Sequence, residues 1–254
     1  MRIDLNSDLG EGFGPWTMGD DAAMLSLVSS ANIACGGHAS DPETMLAALE
    51  QAVARGVVIG AHPGYADREG FGRRIIPMTP RAIGAMVAAQ VGALAGVAAI
   101  AGARVAYVKP HGALGNLACD DADVARAIVG AVAAQPGRLA ILAISGTVLE
   151  HEARAAGVQV FSEIFADRAY MPDGRLMPRN RTGAVLHDRD EAVDRLLRFL
   201  ETGQMPVAEG APIKLAAQSV CVHGDSPGAV AMALALRDRL LAQGVTIAPF
   251  LDVG

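Results

Sequence analysis

One pattern constrains this chain more than any other: an apolar run ending in a histidine beside glycine or proline, which occurs four times. The runs are Asn32-Ile33-Ala34-Cys35-Gly36-Gly37-His38, Val57-Val58-Ile59-Gly60-Ala61-His62-Pro63-Gly64, Val105-Ala106-Tyr107-Val108-Lys109-Pro110-His111-Gly112 and Val220-Cys221-Val222-His223-Gly224-Asp225. A short apolar run punctuated in this way reads as a buried strand that releases a polar group at its end. Four of them, spread along the whole chain, imply one shared site built from many strand ends. An α/β barrel assembles its site in that manner.

The stretches between fit the same plan. Candidate strands are Arg2–Leu5, Asn32–Ala34, Val57–Ala61, Val105–Lys109, Ala140–Ile144, Val158–Ser162, Ser219–Val222 and Thr246–Pro249. Most are separated by a helical pattern of about 12 to 20 residues, a crossover length for parallel strands. Asp41-Pro42, Thr79-Pro80 and Ser226-Pro227 each place an N-cap residue before a proline at the first helical position. After Asp41, the residues Met45, Leu46, Leu49 and Val53 recur at helical spacing, and Gly56 stops the helix. No linker divides the chain, so residues 1–254 are expected to form one barrel domain. The segment from Phe165 to Asp188, with its Pro172-Asp173-Gly174 turn, is expected to make a hairpin-like excursion over one barrel end.

Apolar residues make up 52% of the chain and aromatic ones 4%, so the core must be built of Ala, Val, Leu, Ile and Met. A net charge of −6 without a basic run argues against nucleic acid or an anionic membrane as partner. The chain begins Met1-Arg2-Ile3-Asp4-Leu5, without the apolar stretch of a signal peptide. The richest apolar stretch, Ala82 to Ala103, is Ala- and Gly-rich with a glutamine inside and reads as a packed helix rather than a membrane span. The 3 cysteines are too few and too scattered for a disulfide framework or a CxxC zinc site. A cytoplasmic protein is the expectation.

Several clusters carry candidate chemistry. Asp8 and Glu11 lie in a Gly-rich segment that is expected to follow the first strand, and paired acids beside imidazoles suit acid–base work or a metal ion. The glycines there make no dinucleotide fingerprint, because Pro15 stands where the third glycine belongs, and no GxxxxGK[ST], GxSxG or HExxH occurs. His38 follows two glycines that open space for a ligand; Cys35 reads as a buried cysteine, or else as a nucleophile served by His38. Asp41 is first an N-cap. One of Arg73 and Arg74 is expected to clamp a carboxylate or phosphate, the other to face solvent. Lys109 must emerge at a strand mouth, since a buried unpaired ammonium is costly, and there it can hold an anion or steady an oxyanion. Glu163 and Asp167 either position Arg168 or join the site. Asp225, two residues after His223, can orient an imidazole or act as a base. His151 and His187 lack this context and are expected to face solvent.

Taken in order, DLNSDLGEGFG at 4–14, SANIACGGHASDP at 30–42, GAHPGYAD at 60–67, GFGRR at 70–74, VKPHGALGN at 108–116, FADRAY at 165–170 and VHGD at 222–225 resemble the LamB/YcsF family across nearly the whole chain. The resemblance implies a distorted (β/α) TIM-like barrel of about seven to eight parallel strands, similar to the glycoside hydrolase/deacetylase barrel. It also implies ATP-dependent opening of 5-oxoproline to L-glutamate, as the A subunit of a bacterial 5-oxoprolinase that works with B and C partners. On that reading Asp8, His38, His62, Lys109, His111 and Asp225 are catalytic. Glu11, Asn32, Arg73, Asn116, Glu163, Arg168 and His223 bind 5-oxoproline or an activated lactam. ATP is handled with the partners, and a homo-oligomer is compatible with the resemblance. The alternative is a stand-alone metal-dependent lactam hydrolase whose divalent metal sits on Asp8, His38 and His62. Ser7, Gly37, Ser40 and Gly115 depart from the family pattern; Gly37 and Gly115 replace a usual Phe and Tyr, which is expected to widen the pocket.

Overall fold

The computed structural model describes residues 1–186, 188–222, 224 and 228–251. The chain runs β1 (Arg2–Leu9), α1 (Asp21–Leu25), β2 (Ser30–Ala34), α2 (Pro42–Ala54), β3 (Val58–His62) and α3 (Pro80–Ile100). It continues with β4 (Tyr107–Val108), α4 (Gly112–Ala118), α5 (Ala122–Ala133), β5 (Ala140–Ile144), α6 (Val148–Ala155) and β6 (Val160–Phe165). It finishes with α7 (Arg189–Thr202), β7 (Gln204–Met205), β8 (Ile213–Lys214), β9 (Ser219–Cys221), α8 (Ala229–Ala242) and β10 (Thr246–Ile247).

Seven of these strands close a parallel barrel in the order β1-β2-β3-β4-β5-β6-β9, with β9 pairing back onto β1. β10 adds to the start of β1, and β7 and β8 form a separate antiparallel pair. The expected barrel of parallel strands is therefore present. β1 is longer than expected: it runs through Leu9, with Asp8 opposite Asn32 of β2, so Asp8 sits on a strand and not in the following loop. The alternation Asp4, Asn6, Asp8 explains the difference. These three turn into the barrel, while Ile3, Leu5 and Leu9 join the apolar core shared with the helices.

Helix starts follow the sequence signals where they are described. The Asp41 carboxylate accepts from Thr44 N at 2.9 Å, and Thr79 Oγ1 accepts from Ala82 N at 3.3 Å. α8 begins after Gly228; Ser226 and Pro227 lie outside the described residues, as does His187. α3 is long and apolar enough by length and composition to cross a membrane, yet one face is packed against the barrel as expected. It serves as the crossover from β3 to β4 and buries Ile83, Val87, Val91, Leu94 and Ala98. The segment after β6 forms the expected excursion, with antiparallel bridges Arg168 to Val185 and Tyr170 to Leu176.

The lower barrel interior is polar and tightly fitted. Tyr107 crosses Gly60 to donate its hydroxyl to Asn32 Oδ1 at 2.7 Å. A Cβ on Gly60 would lie 2.3 Å from two Tyr107 ring carbons. Gly60→Ala is expected to cost about 3 kcal/mol, the upper end for overpacking, because strand and ring are both confined. Urea denaturation measures it, and a loss under about 0.5 kcal/mol would contradict the fit described.

Asp4, fully buried below that layer, accepts from Ser29 Oγ at 2.6 Å, Ser30 Oγ at 2.7 Å and Ser219 Oγ. Burial raises its pKa from 3.8 to about 6, against the three hydroxyl hydrogen bonds that lower it. In that window the folded chain keeps a proton that the unfolded chain has released. Stability from this group therefore falls as pH rises from about 4 to about 6, by roughly 3 kcal/mol in all. Asp4→Asn is expected to flatten that part of the stability–pH curve. An unchanged curve would show that Asp4 titrates normally.

Candidate active site

The strand ends of the barrel open into a cavity of ≈ 390 Å³. Its floor is made by Asp8, Glu11, His62, Lys109, His111 and Glu163, and its rim carries Arg73, Arg168, Arg175, Arg179 and Asn116. Leu176, Met177 and Pro178 of the excursion close one side.

Lys109 follows β4 directly and is 4% exposed. Its Nζ lies 3.0 Å from Asp8 Oδ1 and 2.8 Å from Glu163 Oε1. It also donates to Asn6 Oδ1 at 3.2 Å and to Cys221 Sγ at 3.1 Å. Burial opposes its charge, yet Asp8 and Glu163 outweigh burial and hold its pKa well above the ordinary lysine value. Lys109 is thus a fixed cation, not a base. The second Asp8 oxygen, Oδ2, lies 3.4 Å from His62 Nε2. Asn32, itself oriented by Tyr107, donates to Asp8 Oδ1 at 2.9 Å.

The imidazoles form a compact group. His62 ends β3, and its Nδ1 lies 2.7 Å from the Lys109 carbonyl. His111 sits just before α4, with Nε2 2.8 Å from the Phe71 carbonyl and Nδ1 3.0 Å from His62 Nε2. The His38 ring stacks on His111 at 3.6 Å between centroids, and its Nε2 lies 3.0 Å from Glu11 Oε1. Burial, reinforced by the neighbouring rings, lowers the pKa of His111 to about 3 and that of His38 well below the usual value. These two rings are therefore neutral in this setting. Glu11, His38, His62 and His111 offer ligand atoms all within 4.8 Å of one another, a set that could bind a metal ion. Asp8 touches this group through His62.

Two glycines remote in sequence from His38 and His111 pack directly against them. A Cβ on Gly72, which has φ +61°, would lie 2.7 Å from His38 Cβ and 2.9 Å from His111 Cδ2. One on Gly64 would lie 2.8 Å from His38 Nδ1. The stacked imidazoles pack straight onto backbone, which only glycine permits.

Other expectations sort as follows. Arg73 lines the cavity, while Arg74 pairs with Asp67 and is largely exposed. Glu163 joins the site through Lys109, and Arg168 is held instead by the Ala184 carbonyl at 3.2 Å and the Met177 carbonyl at 2.6 Å. Burial, with Arg179 nearby, lowers the Arg168 pKa to about 10, so it stays cationic. Burial pushes the Cys35 thiol up to about 12, which marks a packed cysteine and not a nucleophile. Gly37 does not border the cavity, because Gln90 and the Gly64 carbonyl fill the space its side chain would take. Gly115 does border it, 2.7 Å from the Pro110 carbonyl by the same measure. His151 is exposed. His223 and Asp225 lie outside the described residues.

Three further participants are not among the expected residues: Asn6, Cys221 and Phe71. Asn6 donates to Glu163 Oε1 at 2.9 Å and to Ser219 Oγ at 2.7 Å, tying β1, β6 and β9 together under Lys109. The period-two series Asp4, Asn6, Asp8 is a usable signal for it. Phe71 acts through its carbonyl, for which no side-chain pattern exists.

Fold and site together define an α/β-barrel protein with a preorganised carboxylate, imidazole and ammonium centre suited to acid–base chemistry on a small ligand. The chain belongs to the LamB/YcsF family, whose model matches residues 3–254. It is 54% identical over 250 residues to the A subunit of 5-oxoprolinase from Nocardia farcinica, covering 98% of this chain and 100% of that one. It is 50% identical to the corresponding 5-oxoprolinase chain of Rhodopseudomonas palustris strain CGA009, covering 98% and 99%. Among solved structures it is similar to a lactam utilization protein from Thermus thermophilus, with TM-score 0.92, 42% identity and coverage of 98% and 99%. A putative cellobiose-phosphate cleavage protein from Enterococcus faecalis, at TM-score 0.60 and 12% identity over 98% of this chain and 97% of that one, shares the fold alone.

Proposed function

We propose that this chain, acting as one barrel domain in the cytoplasm, opens 5-oxoproline to L-glutamate as the A subunit of an ATP-dependent 5-oxoprolinase with B and C partners. The observation that carries the reading is the cavity itself. Its floor holds acid–base groups beside a fixed ammonium, and its rim carries arginines, which suits a small lactam bearing a carboxylate. The names and full-length match of the relatives support the same substrate.

An unstrained five-membered lactam is a poor electrophile and needs activation. Transfer of a phosphoryl group from ATP to the carbonyl oxygen supplies it. The sequence carries no GxxxxGK[ST] phosphate loop, which favours ATP being handled with the partners. In this scheme Asp8, with His62, takes a proton from a water that attacks the activated carbon. The tetrahedral carbon then bears the new hydroxyl, the phosphoryl oxygen and the ring nitrogen. Expelling phosphate merely regenerates an amide. Expelling nitrogen opens the ring to an acyl phosphate, which a second water hydrolyses to glutamate and phosphate. A group that protonates the nitrogen therefore decides the outcome: Asp8, which now carries the proton taken from water, returns it to the nitrogen, while the neutral His111 lies against His62 and the neutral His38 against Glu11 to hold these groups in place. Lys109 steadies Asp8 and the developing charge. Arg73 and Arg168 take the carboxylate or phosphate, Asn32 fixes Asp8, Asn116 lines the mouth and Glu163 fixes Lys109. His223 and Asp225 are assigned to the site on sequence alone.

Glutamate release from 5-oxoproline is measured with the chain alone, the partners alone, and both, each with and without ATP. Release only from the full mixture with ATP supports the reading. Release from the chain alone without ATP replaces it by the stand-alone hydrolase.

A further inference from the structure

We infer that Glu11, His62 and His111 form a binding site for one divalent ion of the zinc type. The inference names a cofactor for the site of the proposed reaction, but it stands on the positions of the imidazole protons. A backbone carbonyl only accepts hydrogen bonds. His62 Nδ1, 2.7 Å from the Lys109 carbonyl, and His111 Nε2, 2.8 Å from the Phe71 carbonyl, are therefore the nitrogens that carry hydrogen. The remaining nitrogens, His62 Nε2 and His111 Nδ1, face each other at 3.0 Å with lone pairs. Two lone pairs at that distance repel unless a cation lies against both. Carboxylate oxygens add to the demand, with Glu11 Oε1 3.5 Å from His111 Nδ1 and Asp8 Oδ2 3.4 Å from His62 Nε2.

A shared proton is the simpler cation. It would place an imidazolium within a buried stack of rings, away from the water that solvates one. A metal ion instead takes both lone pairs and the carboxylate as ligands, so the whole cluster shares its charge. Donors about 2.1 Å from a tetrahedral ion lie roughly 3.4 Å apart, close to the 3.0 and 3.5 Å separations found at His111. Two imidazoles with a carboxylate suit zinc and its neighbours, not calcium or magnesium, which prefer oxygen. A ring N–H given to a backbone carbonyl is also how metal-binding histidines are commonly oriented. His38 Nε2, 3.0 Å from Glu11 Oε1, holds the carboxylate in place. Gly64 and Gly72 pack against His38 and His111 and leave those two rings no room to swing away. An ion there borders the cavity beside Asp8, where it would make a bound water more acidic.

Chelator-stripped full-length protein is titrated calorimetrically with Zn²⁺ and, separately, Mg²⁺. One Zn²⁺ per chain is expected, with no comparable Mg²⁺ binding, a raised melting temperature and visible absorption bands on Co²⁺ substitution. Glu11→Gln and His62→Ala are each expected to weaken Zn²⁺ binding at least tenfold, and the exposed His151→Ala to leave it unchanged. Circular dichroism checks that the variants fold, and the wild-type stoichiometry stands without them. Absence of stoichiometric Zn²⁺ binding to wild type, or equal binding by both folded site variants, overturns the inference. Because binding is read without turnover, zinc bound by a chain that yields no glutamate with its partners would uphold the site and reject the reaction.

Discussion

Lys109→Met is expected to lower glutamate formation by the assembled enzyme at least about 10³-fold and to destabilise the chain by about 3–5 kcal/mol. The side chains are similar in length, so packing is largely kept and the lost charge dominates. Lys109 Nζ stands between Asp8 Oδ1 at 3.0 Å and Glu163 Oε1 at 2.8 Å. Without it, two carboxylates confront each other in a space where Glu163 is already 1% exposed and pushed upward in pKa by burial. Both carboxyls then resist ionisation in the folded state. The folded variant binds more protons than its unfolded chain, so its stability should rise as pH falls toward the ordinary carboxylate range. The gap from wild type should narrow in acid. A pH-independent gap in urea melts would point to lost packing instead of lost charge. Activity within tenfold of wild type would remove Lys109 from the mechanism.

Asp8→Asn separates chemistry from fold. Asparagine keeps an oxygen for Lys109 and for Asn32, which now contact Asp8 Oδ1. It loses the charge and the proton-accepting oxygen beside His62. A fall in kcat of about 10² to 10⁴ is expected, the span for removing a positioned general base. Stability should change by no more than about 1 kcal/mol, and KM little, because the rim arginines proposed to take the substrate's anionic group are untouched. A variant that raises KM with kcat unchanged would make Asp8 a binding group. One that keeps both would place the base elsewhere in the cavity.

The barrel is legible in the sequence because its strands are short apolar runs with sharp ends, and because Asp41-Pro42 and Thr79-Pro80 announce their helices. The histidines are legible because each closes an apolar run beside glycine or proline. The glycines that confine the His38 and His111 rings, Gly64 and Gly72, are not their neighbours in sequence and are brought there only by the fold. The end of β1 is harder to place, because Asn6 and Asp8 look like loop residues until the barrel interior is known to be polar. Cys221 beside Lys109, and the Phe71 carbonyl beside His111, depend on contacts across 112 and 40 residues. No local pattern encodes contacts of that kind. Asp8, by contrast, stands out as an acid near imidazoles even though its place on the strand does not.

The central claim is that ring opening occurs at Asp8 of this chain while ATP is used with the partners. The direct measurement is glutamate formed per phosphate released by the assembled enzyme, for wild type and for Asp8→Asn. The account predicts that the ratio collapses in the variant. Phosphate is still released as the activated lactam decays in water, largely back to 5-oxoproline, and glutamate falls about a hundredfold or more. If glutamate and phosphate fall together at an unchanged ratio, the ATP step also depends on Asp8, and the division of labour described for this chain is wrong.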